Sequence, residues 1–391
     1  MRILIMKGQS QYGGTRLFAD QAAEAFRAAG HEVEVLDLGG TDNGGALILA
    51  YRPAGPLDLV FTINIAGEFR DSLGRRIRDL FGAPHVVWHT DYSFSQAARL
   101  NATPADTALL LVDPTQVEAV RAIHGPDRFR HLDFFPHPAV GPPAPDDESL
   151  EAFIANRPIG VLWSGSFQKP ETLWAEIAGP ARQVFQDAFD LAMSVEWVPP
   201  HEALDAVLAD RGLDLADPAN ISAREAATAL DVEVRKARRF EFLRAVAKTG
   251  VPLHICGHGW ETHLYRFKSA TYEGPVEMTR MAELMRRSRL VLNTNGNFGA
   301  GSHERPFSAS LAGAATFSDH SRYYAQVFEP GRDIALFRWK ALAAGMDLLK
   351  QLAGDPARTF EMARRAKALT LAEHSWDRRI GRIIAAGEAV R

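Results

Sequence analysis

Short apolar runs alternate with glycine-bearing turns and helical patterns from the first residues onward, and this alternation limits the fold more than any other feature. RILIM (2–6) leads into the polar loop KGQSQYGGT, after which Leu17, Phe18, Ala22, Ala25 and Phe26 recur at helical spacing up to Gly30. EVEVLDL (32–38) then alternates as a strand does. Strand, loop, helix and strand in that order predict a parallel βαβ unit of the Rossmann-like kind. The loop is not G-x-G-x-x-G, so it names no dinucleotide. LDLVFTIN (57–64), HVVWHT (85–90) and ALLLVD (108–113) predict further strands, with a helix near 70–81 between the first two.

The pattern then restarts. PHPAVGPPAPDDES (136–149) carries five prolines and reads as a linker. Beyond it, IGVLWSGS (159–166), VPLHICGHGW (251–260), RLVLNTN (289–295), AATFSD (314–319) and DIALF (333–337) predict strands. VEMTRMAELMRRS (276–288) and HERPFSASLAGA predict helices among them, and 340–390 is helical. A long helical and irregular region covers 170–248. The fold class is therefore α/β, with two Rossmann-like domains facing a cleft, the first over 1–150 and the second from 151.

Composition narrows the function. One cysteine, Cys256, excludes an internal disulfide and a zinc site built on thiolate pairs, and it fits a reducing, cytoplasmic setting. No window approaches the roughly 18 uninterrupted apolar residues of a membrane span. MRILIMKGQS is too short an apolar segment for a signal peptide and reads as the first strand. A net charge of −4 argues against a nucleic-acid partner. Up to residue 150 there are 13 Lys+Arg against 19 Asp+Glu, and beyond it 31 against 29. The more basic second part is the better holder of a phosphate-bearing ligand.

Ligands of open parallel sheets bind outside the carboxyl ends of the strands. Those ends carry Tyr12, Gly13, Gly14 and Thr15, then Asn64 and Gly67, then His89 and Asp91, in the first part. The second part contributes Gly165 and Ser166, the Gly257–Trp260 turn, and Asn293 to Gly296. It also contributes His303, Glu304 and Arg305, packed together at the start of GSHERPFSASLAGAATFSD. Three consecutive ionisable residues between glycines and a proline fit an element's edge better than a helix face. Arginine at a helix start offers planar donors to a phosphate.

Taken together, VLWSGS, HICGHGW, YEGPVEMTRMAELMRRSRLVLNTN and HERPFSASLAGAATFSDHSRYYAQVFEPGRDIALF resemble the donor-binding half of GT-B fold glycosyltransferases, in particular the spore-maturation-protein-like (CgeB-like) branch. HVVWHTDYSF resembles that family's W-x-x-D-x-P segment. HSWDRRIGRII resembles its final helix, which crosses back to the first domain, so the resemblance implies bounds of 151–370 for the donor domain and 371–391 for the returning helix. The sequence departs from the family at three places: Ser308 replaces the glutamate after R-x-F, Ala300 stands where a second glutamate is common, and Ser93 replaces the proline.

The resemblance implies transfer of a hexosyl group from a nucleotide-diphospho-sugar to an acceptor hydroxyl, without a cofactor and without a metal. The acceptor, whether glycan, lipid or protein, stays open, as does peripheral contact with a membrane; a bacterial glycan is the family's usual product. On this reading Gly165, Ser166, Gly257, Gly259, Trp260, Asn293, Asn295, His303, Glu304, Arg305 and Ser308 form the donor site, with Trp260 either against a base or in the core. His303 and Arg305 hold the departing diphosphate. Asp91, or His89, takes the acceptor proton, and the Tyr12–Thr15 loop borders the cleft. Lys236, Arg238 and Arg239, in VRKARRFEFL, read as a solvated helix face, with one arginine reaching the donor phosphates as the alternative. His254, His258 and His263 straddle a strand and a turn and predict no metal site. A nucleotide-sugar epimerase of the same architecture and a non-catalytic nucleotide- or carbohydrate-binding protein remain as alternatives.

Overall fold

Runs of Val, Leu, Ile and Phe that alternate too little to face water on one side become the inner strands of two parallel sheets. In a computed structural model of the chain, which describes residues 1–39, 43–65, 68–170, 177–194, 196–214, 217, 221–267 and 269–391, each sheet has six strands. The first is built from β1 (Arg2–Lys7), β2 (Glu32–Asp37), β3 (Leu59–Ile63), β4 (His85–His89), β5 (Thr107–Leu111) and β6 (His131–Phe134), in the order β2-β1-β3-β4-β5-β6. The second is built from β7 (Ile159–Ser164), β8 (Leu253–Cys256), β9 (Ala270–Gly274), β10 (Ser288–Asn293), β11 (Ala315–Asp319) and β12 (Ala335–Phe337), in the order β12-β11-β10-β7-β8-β9. Every residue of β3, β4, β5 and β11 is buried, as a parallel strand covered on both faces requires. The alternating EVEVLD segment is an edge strand.

One compact unit comprises Met1–Val140 with His374–Arg391, and the other Gly141–Glu373. In the first unit the last helix, Trp376–Glu388, covers the sheet through Trp376, whose ring centroid lies 5.7 Å from that of Trp88. Arg382 on the same helix donates to Asp133 of β6 at 3.0 Å. In the second unit the rings of Phe242, Phe317 and Phe337 stack with centroids 5.1 and 5.3 Å apart about Phe337. Fully buried Arg157 donates to the carbonyls of Ser288 and Ala312 and to Glu148, tying the start of β10 to the end of the helix Glu304–Leu311.

Several expectations change. The proline-rich stretch is packed: Ala139 N–H donates to the His374 carbonyl in one unit, and Ala144 N–H to the Leu311 carbonyl in the other. The helix expected near 70–81 is confined to Ile77–Phe81, because the Asp71 carboxylate accepts from the amides of Leu73 and Arg75 and closes a turn there. HLDF and ATYEG, too short and too polar to stand out, are the edge strands β6 and β9. The 170–248 region contains helices Pro180–Ser194, Pro200–Ala209 and Ile221–Thr249; residues 171–176, 195, 215–216 and 218–220 of it lie outside the described residues. Among the described residues, no helix is long and apolar enough to cross a membrane.

Candidate functional site

In the second unit the carboxyl ends of β7, β8 and β10 meet through backbone and arginine contacts. The loop after β7 is clamped: Gly165 N–H donates to the Cys256 carbonyl at 3.0 Å, and the Gly165 carbonyl accepts from the indoles of Trp260 at 2.8 Å and Trp163 at 3.3 Å. Trp260 is fully buried in the aromatic core, so it supports this loop and offers no platform to a base. Gly257 sits at φ 130° with the loop pressed against it; a Cβ there would stand 2.4 Å from the Gly165 carbonyl oxygen. Gly259 meets the Phe167 carbonyl in the same way. Gly257→Ala is expected to destabilise the second unit by about 1–3 kcal/mol, since it adds both backbone strain and a clash. Urea unfolding checks this; an unchanged midpoint would show that the loop is free to move away.

Arg239, on the long helix Ile221–Thr249, donates to the Ser166 carbonyl at 3.0 Å, while its buried Nε has no partner. Its pKa is pushed down to about 9, first by burial and then by the cations Arg235 and Arg305. Arg305 is buried at the start of the helix Glu304–Leu311 and donates to Asn293 Oδ1 at 2.6 Å. Burial also lowers its pKa, against the favourable charges of Glu304 and Tyr324. Among the described residues neither Arg239 nor Arg305 forms an ion pair. Arg235 pairs with Asp231 at 3.0 Å and lies against Gly296. Two desolvated guanidinium groups, one of them further destabilised by the charge of the other, are an arrangement that an anion between them relieves.

The remaining predicted residues position these cations. Asn293 donates to Ser318 Oγ at 2.9 Å, so its amide is oriented with the oxygen toward Arg305. Asn295 is buried and structural: its N–H donates to Asp319 at 2.6 Å, and its side-chain oxygen accepts from the Tyr324 hydroxyl at 3.0 Å. His303 caps the helix, with Nδ1 2.5 Å from Glu304 Oε2. Burial lowers the His303 pKa, partly offset by Glu304. Ser308 is buried within the helix. Trp197, from the helical and irregular region 170–248, donates to the Gly296 carbonyl at 3.2 Å and covers the Asn-Gly turn.

The reading of Lys236, Arg238 and Arg239 as a solvated face is overturned. Arg238 is buried over the Trp339 ring, its guanidinium carbon 4.6 Å from the centroid, and Lys236 pairs with buried Glu233 at 2.9 Å. The signal for the site was the spacing of Arg235 and Arg239, four apart and so on one face. Tyr324 and Asp319 also went unnoticed. Burial raises the Asp319 pKa to about 6, so the folded protein holds a proton there that the unfolded chain has lost above its ordinary 3.8. Stability contributed by that proton is present below pH 4 and is lost as pH rises to 6, on the order of 3 kcal/mol. Asp319→Asn should therefore gain on the wild type between pH 4 and 7 in urea titrations; an equal difference at both pH values would contradict this.

In the first unit the loops after β3 and β4 are joined by Asn64, the one non-glycine with positive φ (57°) among the described residues. Its side-chain nitrogen donates to Asp91 at 2.8 Å and to Thr90 at 2.9 Å, and its oxygen accepts from Thr90 N–H at 2.9 Å. Asp91 is exposed beside this clasp. His89 is not available as the alternative base: it is fully buried, neither ring nitrogen has a partner, and burial drives its pKa to about 3. Gly13, at φ 72°, precedes the helix Gly14–Ala28, and Tyr12, Gly14 and Thr15 are half-buried around that turn, Thr15 N–H donating to Ser10 Oγ at 3.3 Å. Gly67 lies outside the described residues.

The three histidines expected not to form a metal site contribute one member to a different group. Among the described residues His254, Cys256 and Glu273 place their ligand atoms within 4.8 Å of one another. The Glu273 carboxylate is already shared between His254 at 2.8 Å and Arg280 at 2.7 Å, and the Cys256 thiol is pushed up to about 12 by burial.

Two parallel six-stranded sheets, each with its own helices, match known structures over their whole length. The sucrose-phosphate synthase of Thermosynechococcus elongatus superposes with a TM-score of 0.58 at 11% identity, covering 100% of both chains. The chain has the GT-B fold. AviGT4, a glycosyltransferase involved in Avilamycin A biosynthesis, shares this GT-B fold with a TM-score of 0.51 at 11% identity over 100% of this chain and 98% of that one. An alpha-glucosyltransferase in complex with UDP-glucose and DNA containing an abasic site does so with 0.51 at 10% identity over 98% of each. Residues 235–385, which include Arg235, Arg239 and Arg305, match the family described as "Glycosyl transferase-like". No curated protein matches the chain by sequence.

Proposed function

We propose that this GT-B chain is a glycosyltransferase that moves a hexosyl group from a nucleotide-diphospho-sugar to an acceptor hydroxyl, with the donor held by the second unit. The observation that carries the reading is the pair of Arg239 and Arg305, desolvated and without carboxylate partners at the strand ends. A diphosphate supplies the missing negative charge. As the bond from the anomeric carbon to the diphosphate oxygen breaks, negative charge grows on the leaving group, and preformed cations stabilise it without a metal. The amides at the start of the helix Glu304–Leu311 add to this, with His303 and Glu304 fixing the first turn. The acceptor oxygen bonds to the anomeric carbon and its proton passes to a carboxylate; Asp91, held by Asn64, is the residue we assign to that step. Some members of the spore-maturation-protein-like branch carry H-x-R before a similar small-residue helix, and His303 with Arg305 fits that variant; the single buried thiol fits a cytoplasmic setting.

A thermal-shift series with UDP, GDP, ADP, CMP and dTDP in the presence of EDTA tests the proposal. One nucleotide should stabilise the protein by about 2.7 kcal/mol at a hundredfold excess over its dissociation constant. The shift should vanish in Arg239→Gln. Absence of any shift, or a shift that needs a divalent cation, would overturn the donor site described above. For Asp91→Asn, the proposal expects a fall in turnover with the donor-induced shift retained.

A further inference from the structure

Further along the helix that carries Arg239, a cavity of about 250 Å³ opens between its later turns and the connection from β8 to β9. Arg239 and Lys248 are separated by about 13 Å along the helix axis, at 1.5 Å per residue. The lining runs from Phe240, the residue after Arg239, to Lys248; neither Arg239 nor Arg305 lines the cavity, although Trp260, which supports the Gly165 loop, does. Phe167, Leu243, Trp260 and Phe267 give it an apolar lining. Arg244, Lys248 and Arg266 stand at the same cavity, and among the described residues none of the three forms an ion pair. Glu241, the acid nearest Arg244 on the helix, is turned to Arg238 at 3.5 Å.

His263 completes the set. Its ring lies 3.9 Å from that of Phe167, centroid to centroid, and its buried Nδ1 has no partner. Burial, then Arg266 and Lys169, hold its pKa down, so cations surround an imidazole nitrogen with nothing to bond. An apolar chamber with cationic groups and an unsatisfied buried nitrogen is complementary to a molecule with an apolar body and a negative head. A hydrocarbon-lined cavity of roughly 150 Å³ accepts benzene. The larger volume here suits a bicyclic aryl or medium-length alkyl body.

We propose that this cavity is a second binding site, specific for a small organic anion: an aryl or alkyl group of about ten carbons bearing a phosphate or carboxylate. The aromatic walls take the body. Arg244, Lys248 and Arg266 take the charge, and His263 Nδ1 bonds the ligand.

Isothermal titration with 1-naphthyl phosphate tests this, with 2-naphthol and inorganic phosphate as the separate parts. Naphthyl phosphate should bind at least tenfold more tightly than either. The exposed pair Arg244→Gln with Lys248→Gln should weaken it tenfold or more and leave the thermal transition in place. Ala247→Phe, which fills the chamber, should remove binding. Saturating UDP or GDP should leave the affinity unchanged. No binding, binding indifferent to both variants, or displacement by a nucleotide would each overturn the proposal.

Discussion

Arg305→Ala is expected to lower turnover about 10²- to 10³-fold, the usual loss when one preorganised donor is removed from a developing negative charge. The size of the effect follows from where the guanidinium sits. It is buried, has a single oriented partner in Asn293, and shares its space with Arg239, so no solvent or neighbouring lysine replaces it. Arg305→Lys should recover little, because an ammonium group cannot donate in a plane to both Asn293 and a phosphate. Steady-state kinetics with the nucleotide-sugar identified by thermal shift measures this. Asn293→Ala provides the internal control: it leaves the charge and removes the orientation, and should cost activity by a smaller factor. Wild-type turnover in Arg305→Ala would remove this residue from the mechanism.

The second large effect concerns stability. Arg157→Leu should destabilise the second unit by about 3–5 kcal/mol, because it breaks a buried ion pair and leaves the other member charged. Glu148 loses its partner at 2.8 Å, and the carbonyls of Ser288 and Ala312 lose donors at 3.1 and 3.0 Å. Those carbonyls lie at the start of β10 and just beyond the end of the Glu304–Leu311 helix, the two elements that carry Asn293 and Arg305. Denaturant unfolding should show the loss, and Arg157→Leu with Glu148→Leu should recover part of it, since removing both charges removes the unpaired one. A loss below about 1 kcal/mol would mean that water reaches the pair and that the ion pair does not anchor these elements.

The contrast between the VRKARRFEFL and HERPFSASL segments explains how far the sequence could be read. The second could be placed because its signals are local: a capping residue, a proline at the third helical position, and a small-residue helix all act within its first turns. The first could not. Helical spacing puts Arg235 and Arg239 on one face, but nothing within ten residues says whether that face meets water or a strand end. The same limit applies to His89 and Trp260. Each follows an apolar run, one in β4 and the other four residues past β8, and only the cover supplied by distant segments decides that both are buried.

By itself, then, the sequence determined the order of ten of the twelve strands and the doubly wound character of both sheets. Parallel strands buried on both faces must be apolar along their whole length, and the glycine turns between them need backbone conformations that few other residues adopt. Only the tertiary structure decided which polar groups are sealed inside. It gave the edge strands β6 and β9 their places, turned Trp260 into a support, buried His89, and brought Arg239 from the long helix to Arg305 on another. Those outcomes depend on contacts between residues tens of positions apart, whose partners no local pattern records, and desolvation, the force that makes the arginine pair chemically distinctive, exists only once the chain has closed around it.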